Sequence, residues 1–197
     1  MDFLYDLIGL TGLIIASFGI TAVMNGSMKK RGFFVFAAWN SLTVAVVAFG
    51  LFLTGGLSIW TCKGMAMAYI LLYASVQDLS TREADDFLWV MLLILSLVNV
   101  GDVSLWSGVF GAIAVFVPQI LAAVFSKKGG VGGADIKISS AAALSLGFYG
   151  GLTGYTLGLV FAVIFQTGYN KIKKKSNKDP FPLLPFLSDG LMTGYFI

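Results

Sequence analysis

The chain has 197 residues, of which 57% are hydrophobic and only 12% charged, and its formal net charge is +3. A soluble domain carries about 25% charged residues, so this composition excludes the soluble classes and predicts an integral membrane protein. The sequence has no histidine and one cysteine, Cys62, which excludes an intrachain disulfide and removes the usual ligands of a structural zinc site. A carboxylate-bound metal stays open in principle, but neither a metal nor a cofactor is expected.

Apolar stretches close to the length of a spanning helix, about 20 residues, recur along the whole chain. They are continuously apolar rather than alternating, which favours helices over a β-barrel. The expected fold is an all-α, polytopic bundle of seven or eight spans that forms a single domain over residues 1–197. The predicted spans are 3–24, 33–54, 60–77, 87–101, 104–125, 136–150, 152–170 and 183–197, with the sixth and seventh separated at Gly150-Gly151.

The basic residues orient these spans. Twelve of the thirteen lysines and arginines fall in alternate connections, hence on one side of the membrane, and only Lys63 falls on the other. Since cytoplasmic loops hold Lys and Arg, we expect this side to face the cytoplasm at the cell (inner) membrane, with the N-terminus outside. The basic run Lys171–Lys178 is interpreted as an anchor on anionic lipid head groups, with a docking site for an acidic partner as the alternative. No nucleic-acid partner is expected.

Two aspartates stand out, because acids inside or beside spanning segments are costly and rare. Asp78 ends the third apolar stretch, and Asp135 follows a glycine-rich segment that leads into the sixth. The orientation derived above places both carboxylates on the cytoplasmic side. Catalytic segments are therefore predicted around residues 74–86 and 129–138.

Two carboxylates brought close together tend to share one proton. The ionised member can then take a proton from water while the protonated member donates to a carbonyl oxygen, which is general acid–base hydrolysis of a peptide bond. The alternative interpretation is structural: Asp135 caps the sixth helix, and Asp78 pairs with Arg82 or Lys137. The spacing of the residues leaves both interpretations open.

The sequence around each aspartate resembles an active-site segment of type IV prepilin peptidases and archaeal preflagellin peptidases, which are membrane aspartic proteases of the GxGD type. Residues 74–83, ASVQDLSTRE, are similar to the first segment. Residues 132–137, GGADIK, look like the second, usually written GxGD followed by a hydrophobic residue and Lys. Weaker similarity is found in residues 13–18, LIIASF, and 182–187, PLLPFL.

The resemblance implies an aspartic endopeptidase that removes the short basic leader of prepilins or pseudopilins at the inner membrane face. It would cut after a Gly, at the junction with the hydrophobic stem, with Asp78 and Asp135 as the catalytic pair. Residues implied to support the pair are Lys137 as a nearby cation, Arg82 and Glu83 at the entrance, and Gly132 and Gly133 as permissive backbone before Asp135.

Three departures from the family pattern stand in the sequence. Ala134 occupies a position where many members have Gly, and Ala84-Asp85 replaces a common Ile-Pro. Residues 25–32 stand where bifunctional bacterial members carry a domain with paired Cys-x-x-Cys motifs, so a short form without N-methylation activity is expected.

The main rival interpretation is a small transporter or proton-conducting protein that uses Asp78 and Asp135 as ion sites. Such a protein predicts acids nearer the middle of the helices and reachable from both sides of the membrane. The two aspartates instead crowd one face, which favours hydrolysis.

Overall fold

The computed structural model describes residues 2–98, 103–125, 132–173 and 181–197, and all regular secondary structure within these ranges is α-helical. The all-α class expected from the sequence is thereby confirmed. The helices, in chain order, are α1 (Asp2–Lys30), α2 (Ala37–Gly55), α3 (Ile59–Thr81), α4 (Asp86–Ser96), α5 (Leu105–Phe125), α6 (Gly133–Lys173) and α7 (Leu184–Gly194).

Five of these helices, α1, α2, α3, α5 and α6, are long and apolar enough to cross a membrane, so the predicted count of seven or eight was wrong. α4 and α7 have 11 residues each. A helix of that length is about 16 Å long, roughly half of the hydrocarbon thickness of a bilayer. The predicted span 87–101 was too long because α4 ends at Ser96; residues 99–101 lie outside the described ranges.

The predicted spans 136–150 and 152–170 both fall within α6, which bends sharply at Gly147. Gly147 has φ 79° and ψ −176°, a conformation that L side chains rarely adopt. Beyond it the chain folds back, since a Cβ on Gly151 would lie 2.8 Å from the Cβ of Ala143. In a straight helix these two residues would be about 12 Å apart. A first arm, residues 133–146, and a second arm, residues 148–173, therefore lie side by side.

The position of this bend differs from the expected one, Gly150-Gly151, for a reason that lies in α5. A bend frees the backbone N–H of the following residue, and the Ser107 hydroxyl accepts the N–H of Phe148 at 3.0 Å. Gly111 approaches the Gly147 carbonyl so closely that a Cβ there would lie 2.5 Å away. The bend thus occurs where a neighbouring helix supplies both the hydrogen bond and the space.

Glycines pack the second arm of α6 against α7. Gly150, Gly154 and Gly158 recur at every fourth residue of the arm, as Gly190 and Gly194 do on α7. A Cβ on Gly154 would lie 2.9 Å from the Gly190 carbonyl oxygen, and a Cβ on Gly150 would lie 2.7 Å from that of Gly194. Small residues permit this close backbone packing between membrane helices. We call this contact the glycine interface; it holds α7 antiparallel to the arm.

α3 lies at the centre of the bundle. In its most apolar window 61% of the residues are buried, against 11% for α1. Its Leu71 packs in one core with Leu51 of α2 and Leu187 of α7. Near the end of α3, the Ser75 hydroxyl forms a buried hydrogen bond of 2.9 Å with that of Ser188. The start of α7 is therefore held beside the end of α3.

Contacts between helix termini show which of them share one end of the bundle. Arg31, just after α1, forms an ion pair of 3.0 Å with Asp85, just before α4. Lys137, near the start of α6, forms one of 2.6 Å with Asp86. Lys63 lies toward the opposite end, near the start of α3. The described cations at the same end of the bundle as the end of α3 include Lys29, Lys30, Arg31, Arg82, Lys137 and Lys171. The described ranges do not include Lys127, Lys128 or residues 174–178 of the predicted lipid anchor.

Candidate active site

Asp78 lies in the last turn of α3, beside the first residue of α7. Its Oδ2 accepts a hydrogen bond of 3.1 Å from the backbone N–H of Leu184. The first N–H groups of a helix have no partner within the helix and carry partial positive charge, so they suit a carboxylate. α7 therefore supplies a fixed donor to Asp78, and the glycine interface sets its position.

Asp135 lies in the first turn of α6. Its Oδ2 accepts a hydrogen bond of 3.2 Å from the backbone N–H of Gly132, so the carboxylate caps the helix as the structural interpretation expected. A Cβ added to Gly132 would lie 2.9 Å from that same oxygen, whereas a Cβ added to Gly133 would have no neighbouring atom within 4 Å. The close approach of backbone to carboxylate thus depends on glycine at position 132. Residues 129–131 of the predicted segment lie outside the described ranges.

The structure brings the two carboxylates together at one end of the bundle. Asp78 and Asp135 come from different helices and lie close enough for their charges to act on each other. Each uses Oδ2 for one backbone N–H, and neither Oδ1 has a hydrogen-bond partner among the described residues. One oxygen of each carboxylate is therefore left for water or a substrate.

Tyr155, on the second arm of α6, is a neighbour that the sequence did not single out. Its side chain is 8% exposed, and it lies within range of the charge of Asp135. The fold-back at Gly147 is what returns the second arm to the first turn of α6. No local pattern around Tyr155 signals this contact, because it depends on the bend.

Lys137 faces Asp86 rather than either member of the pair. Its Nζ lies 2.6 Å from Asp86 Oδ1 and 6.0 Å from the centre of the Trp89 ring. The Lys137 ammonium, through this hydrogen bond and its charge, holds the pKa of the exposed Asp86 carboxyl below its ordinary value. The ion pair links the first turn of α6 to the first turn of α4, so Lys137 contributes to the position of the helix that carries Asp135.

Arg82 ends α3 in the left-handed conformation, with φ 62°, and its N–H donates to the Asp78 carbonyl at 3.0 Å. The exposed guanidinium lies within range of the Asp78 charge but forms no ion pair with it among the described residues. Glu83 is exposed, and its carbonyl accepts the Thr81 hydroxyl at 3.1 Å. Neither of the ion pairs expected by the structural interpretation, Asp78 with Arg82 or with Lys137, is formed.

Gln77, the neighbour of Asp78, fixes the connection to α4. Its amide is buried, with 2% of the residue exposed, and its Nε2 donates to Asp85 Oδ2 at 2.7 Å. Its Oε1 accepts the Asp85 N–H at 3.0 Å. Asp85 is one of the residues at which the sequence departs from the family pattern, and here its carboxylate also binds Arg31. Although Asp85 departs from the family pattern, it has specific partners in this structure, Gln77 and Arg31.

A lateral groove of about 570 Å³ opens between α2, α3 and α7. One end lies at Leu79 and Pro185, which directly follow Asp78 and Leu184 in the chain, and the other end reaches Phe196. Most of its walls are apolar, and Asp189 is the one charged residue among the described residues that line it. The volume lies within the range of ligand sites, about 300–1,000 Å³. An apolar segment can therefore approach the carboxylates from the side of the bundle.

Comparison with known proteins gives one match. A sequence model described as the type IV leader peptidase family matches residues 65–167, just over half of the chain. The matched part contains both Asp78 and Asp135. No curated protein and no solved structure matches the chain.

Proposed function

The chain belongs to the type IV leader peptidase family, and we propose that within it the protein is a membrane-embedded aspartic endopeptidase with Asp78 and Asp135 as its catalytic pair. The observation that carries the proposal is the pairing itself. Two carboxylates from separate helices lie within range of each other's charge at one end of the bundle; each is held by one backbone N–H, and each has one oxygen without a hydrogen-bond partner among the described residues.

The chemistry follows from two carboxyl groups that hold one proton. The ionised aspartate takes a proton from water as the water oxygen attacks the carbonyl carbon of the scissile peptide, and the protonated aspartate donates to the carbonyl oxygen. The tetrahedral intermediate then collapses: the aspartate that took the proton from water gives it to the leaving amine as the C–N bond breaks, and the other aspartate takes back a proton from a hydroxyl of the intermediate. No covalent enzyme intermediate is required.

The proposed substrate is a type IV prepilin-like or pseudopilin precursor, cut between its short basic leader and its hydrophobic stem. The proposed side is the cytoplasmic face of the cell membrane. Apart from Lys63, the described cations gather at the end of the bundle that carries the pair, and Lys and Arg concentrate on the cytoplasmic side of membrane proteins.

The lateral groove is the proposed route for the hydrophobic stem. It is apolar, it is open on the side of the bundle, and it begins at Leu79 and Pro185, next to the residues that hold the pair in place. A stem helix in this groove would present its leader junction to Asp78 and Asp135 without leaving the membrane.

The test replaces each carboxylate by its uncharged isostere. Asp78→Asn and Asp135→Asn, each alone, are expected to lower cleavage of a prepilin-like substrate in membranes by about 10²–10⁴-fold, because each removes one half of the acid–base pair. Asp6→Asn, at the start of α1 and at the other end of the bundle, serves as the control and should cut at the wild-type rate. Cleavage is followed by the mass of the product, and insertion by protein content of the membranes.

Wild-type cleavage by either variant would contradict the assignment of that residue. The transporter alternative makes a different prediction: proton or cation flux into vesicles that depends on both aspartates, without cleavage of any leader sequence. The position of both carboxylates at one end of the bundle favours the peptidase.

A further inference from the structure

Lys63 is a buried cation on the end of the bundle that does not carry the carboxylate pair. Its side chain lies near the start of α3, and the residue is 6% exposed. The ion pairs of the described residues are Arg31–Asp85 and Lys137–Asp86, so the Lys63 charge has no carboxylate partner among them. A buried charge without a counter-charge is strongly unfavourable, and charged residues in membrane helices therefore mark functional sites.

The end of the first arm of α6 supplies part of what Lys63 needs. Its Nζ donates to the Ser145 carbonyl at 3.2 Å, two residues before the bend at Gly147. The last carbonyls of a helix lack helical partners and carry partial negative charge, equivalent to about half an elementary charge. This contact uses one of three N–H donors of the ammonium and offsets part of its charge.

Lys63 also lines a cavity of about 400 Å³ between α3, α5, α6 and α7. Its lining includes Tyr149 and Ile197, which are 77% and 72% exposed, together with the buried Lys63 and Ser145. The Oγ of Ser145 is buried and has no hydrogen-bond partner in the part of the chain that the structure describes. The cavity therefore combines a cation with an unsatisfied hydroxyl.

Aromatic residues on the wall of this cavity indicate its depth in the membrane. The Trp60 and Tyr195 rings lie 4.9 Å apart, and the Tyr195 hydroxyl donates to the Trp60 carbonyl at 2.7 Å. Trp and Tyr are enriched at the head-group level of membranes. Phosphates of lipids lie at that level, so the cavity offers its cation where lipid anions are found.

We propose that this cavity binds the phosphate of an anionic phospholipid, with the Lys63 ammonium as counter-charge and the apolar wall of Trp60, Leu146 and Phe148 against the lipid. The site lies away from the carboxylate pair and does not depend on peptidase activity. Lys63 thus has two partners in this proposal, a backbone carbonyl with partial negative charge at the end of a helix arm and a lipid phosphate.

Lipid binding is measured with the full chain in detergent, titrated with phosphatidylglycerol and followed by native mass spectrometry. Lys63→Gln keeps a donor for the Ser145 carbonyl but removes the charge, and we expect its affinity for the lipid to fall about tenfold, as for the loss of one charge-assisted hydrogen bond. Lys63→Arg should retain binding. Lys30→Gln, which removes an exposed cation at the other end, should bind as wild type does.

Two further titrations of the wild type need no variant. Diacylglycerol with the same chains lacks the phosphate and should bind at least about tenfold more weakly, whereas inorganic phosphate lacks the chains and should not compete at equal concentration. Equal affinity of Lys63→Gln and wild type would overturn the proposal. So would equal binding of diacylglycerol, or full competition by inorganic phosphate, which would make the site one for a free anion.

Discussion

At the scale of single residues, the two glycines before Asp135 differ in what surrounds them. A side chain on Gly132 would meet the oxygen that its own N–H binds, whereas Gly133 faces open space. Neither has a positive φ, so the difference is one of contact and not of backbone freedom. The same motif therefore holds one glycine that positions a carboxylate and one that does not.

This difference predicts unequal effects of the same substitution. Gly132→Ala is expected to displace the Asp135 carboxylate and lower cleavage about 10–100-fold, since small misplacements of a reacting group have effects of that size. Gly133→Ala should cut within about twofold of wild type and can stabilise the first turn of α6. Rates of cleavage in membranes measure both; equal losses in the two variants would show that the contact at position 132 is not the cause.

At the scale of the elements, the glycine interface determines where α7 begins relative to α3. It joins residues that recur at intervals of four in both partners, and it is close enough that backbone atoms touch. The Leu184 N–H that holds Asp78 lies at the start of this same helix. Packing at Gly190 and Gly194 is therefore linked to the position of Asp78 Oδ2.

Gly190→Ala tests this link. A Cβ there would collide with the backbone of Gly154 and Gly158, so α7 must move, and we expect a loss of about 1–3 kcal/mol in stability together with reduced cleavage. Gly168→Ala is the control, because that glycine has nothing within 4 Å, and it should leave both quantities unchanged. Thermal unfolding in detergent and cleavage rates are the measurements. Full cleavage activity in Gly190→Ala would show that the glycine interface does not determine the position of Asp78.

Much of this element structure could be predicted from the sequence. The long apolar stretches 3–24, 33–54, 60–77 and 104–125 correspond to α1, α2, α3 and α5, because length and hydropathy are local properties. The bend in α6 was expected three residues too late, since Gly147, Gly150 and Gly151 look alike until Ser107 and the glycine interface distinguish them. The predicted stretches 87–101 and 183–197 were already shorter than the other four, and α4 and α7 are shorter still, with 11 residues each.

The candidate site also has features that the sequence predicts and features that it does not. Asp78 and Asp135 could be selected from the sequence because each carries a recognisable local motif, although their role stays a prediction. The neighbours of the pair could not be predicted, because the Leu184 N–H and Tyr155 reach it only through the packing of helices that are distant in the chain. Lys137 was expected as a cation beside the pair, and the structure places it on Asp86 instead.

At the scale of the whole molecule, the lateral groove opens the bundle toward the lipid between α2, α3 and α7. Thr43 lines the groove, whereas its neighbour Leu42 points outward and is exposed. The two residues therefore offer a matched pair of positions on the same helix, one inside the proposed route and one outside it.

Thr43→Trp is expected to fill the groove and lower cleavage of a membrane-anchored precursor about tenfold, because the added ring occupies the space of the stem. Leu42→Trp should cut as wild type does. A soluble peptide that contains only the leader junction bypasses the groove, so its cleavage should be equal in both variants. If Thr43→Trp cuts the anchored precursor normally, the stem enters elsewhere.

The hydrogen bond from Leu184 to Asp78 also has a consequence for biosynthesis. A chain leaves the ribosome N-terminus first, at about 5–20 residues per second, so α3 is inserted well before α7 is made. Asp78 acquires its backbone donor, and Asp135 its neighbour Tyr155, only when the last third of the chain has joined the earlier helices. A partly synthesised protein therefore lacks both contacts, and the surroundings of the two carboxylates are completed last.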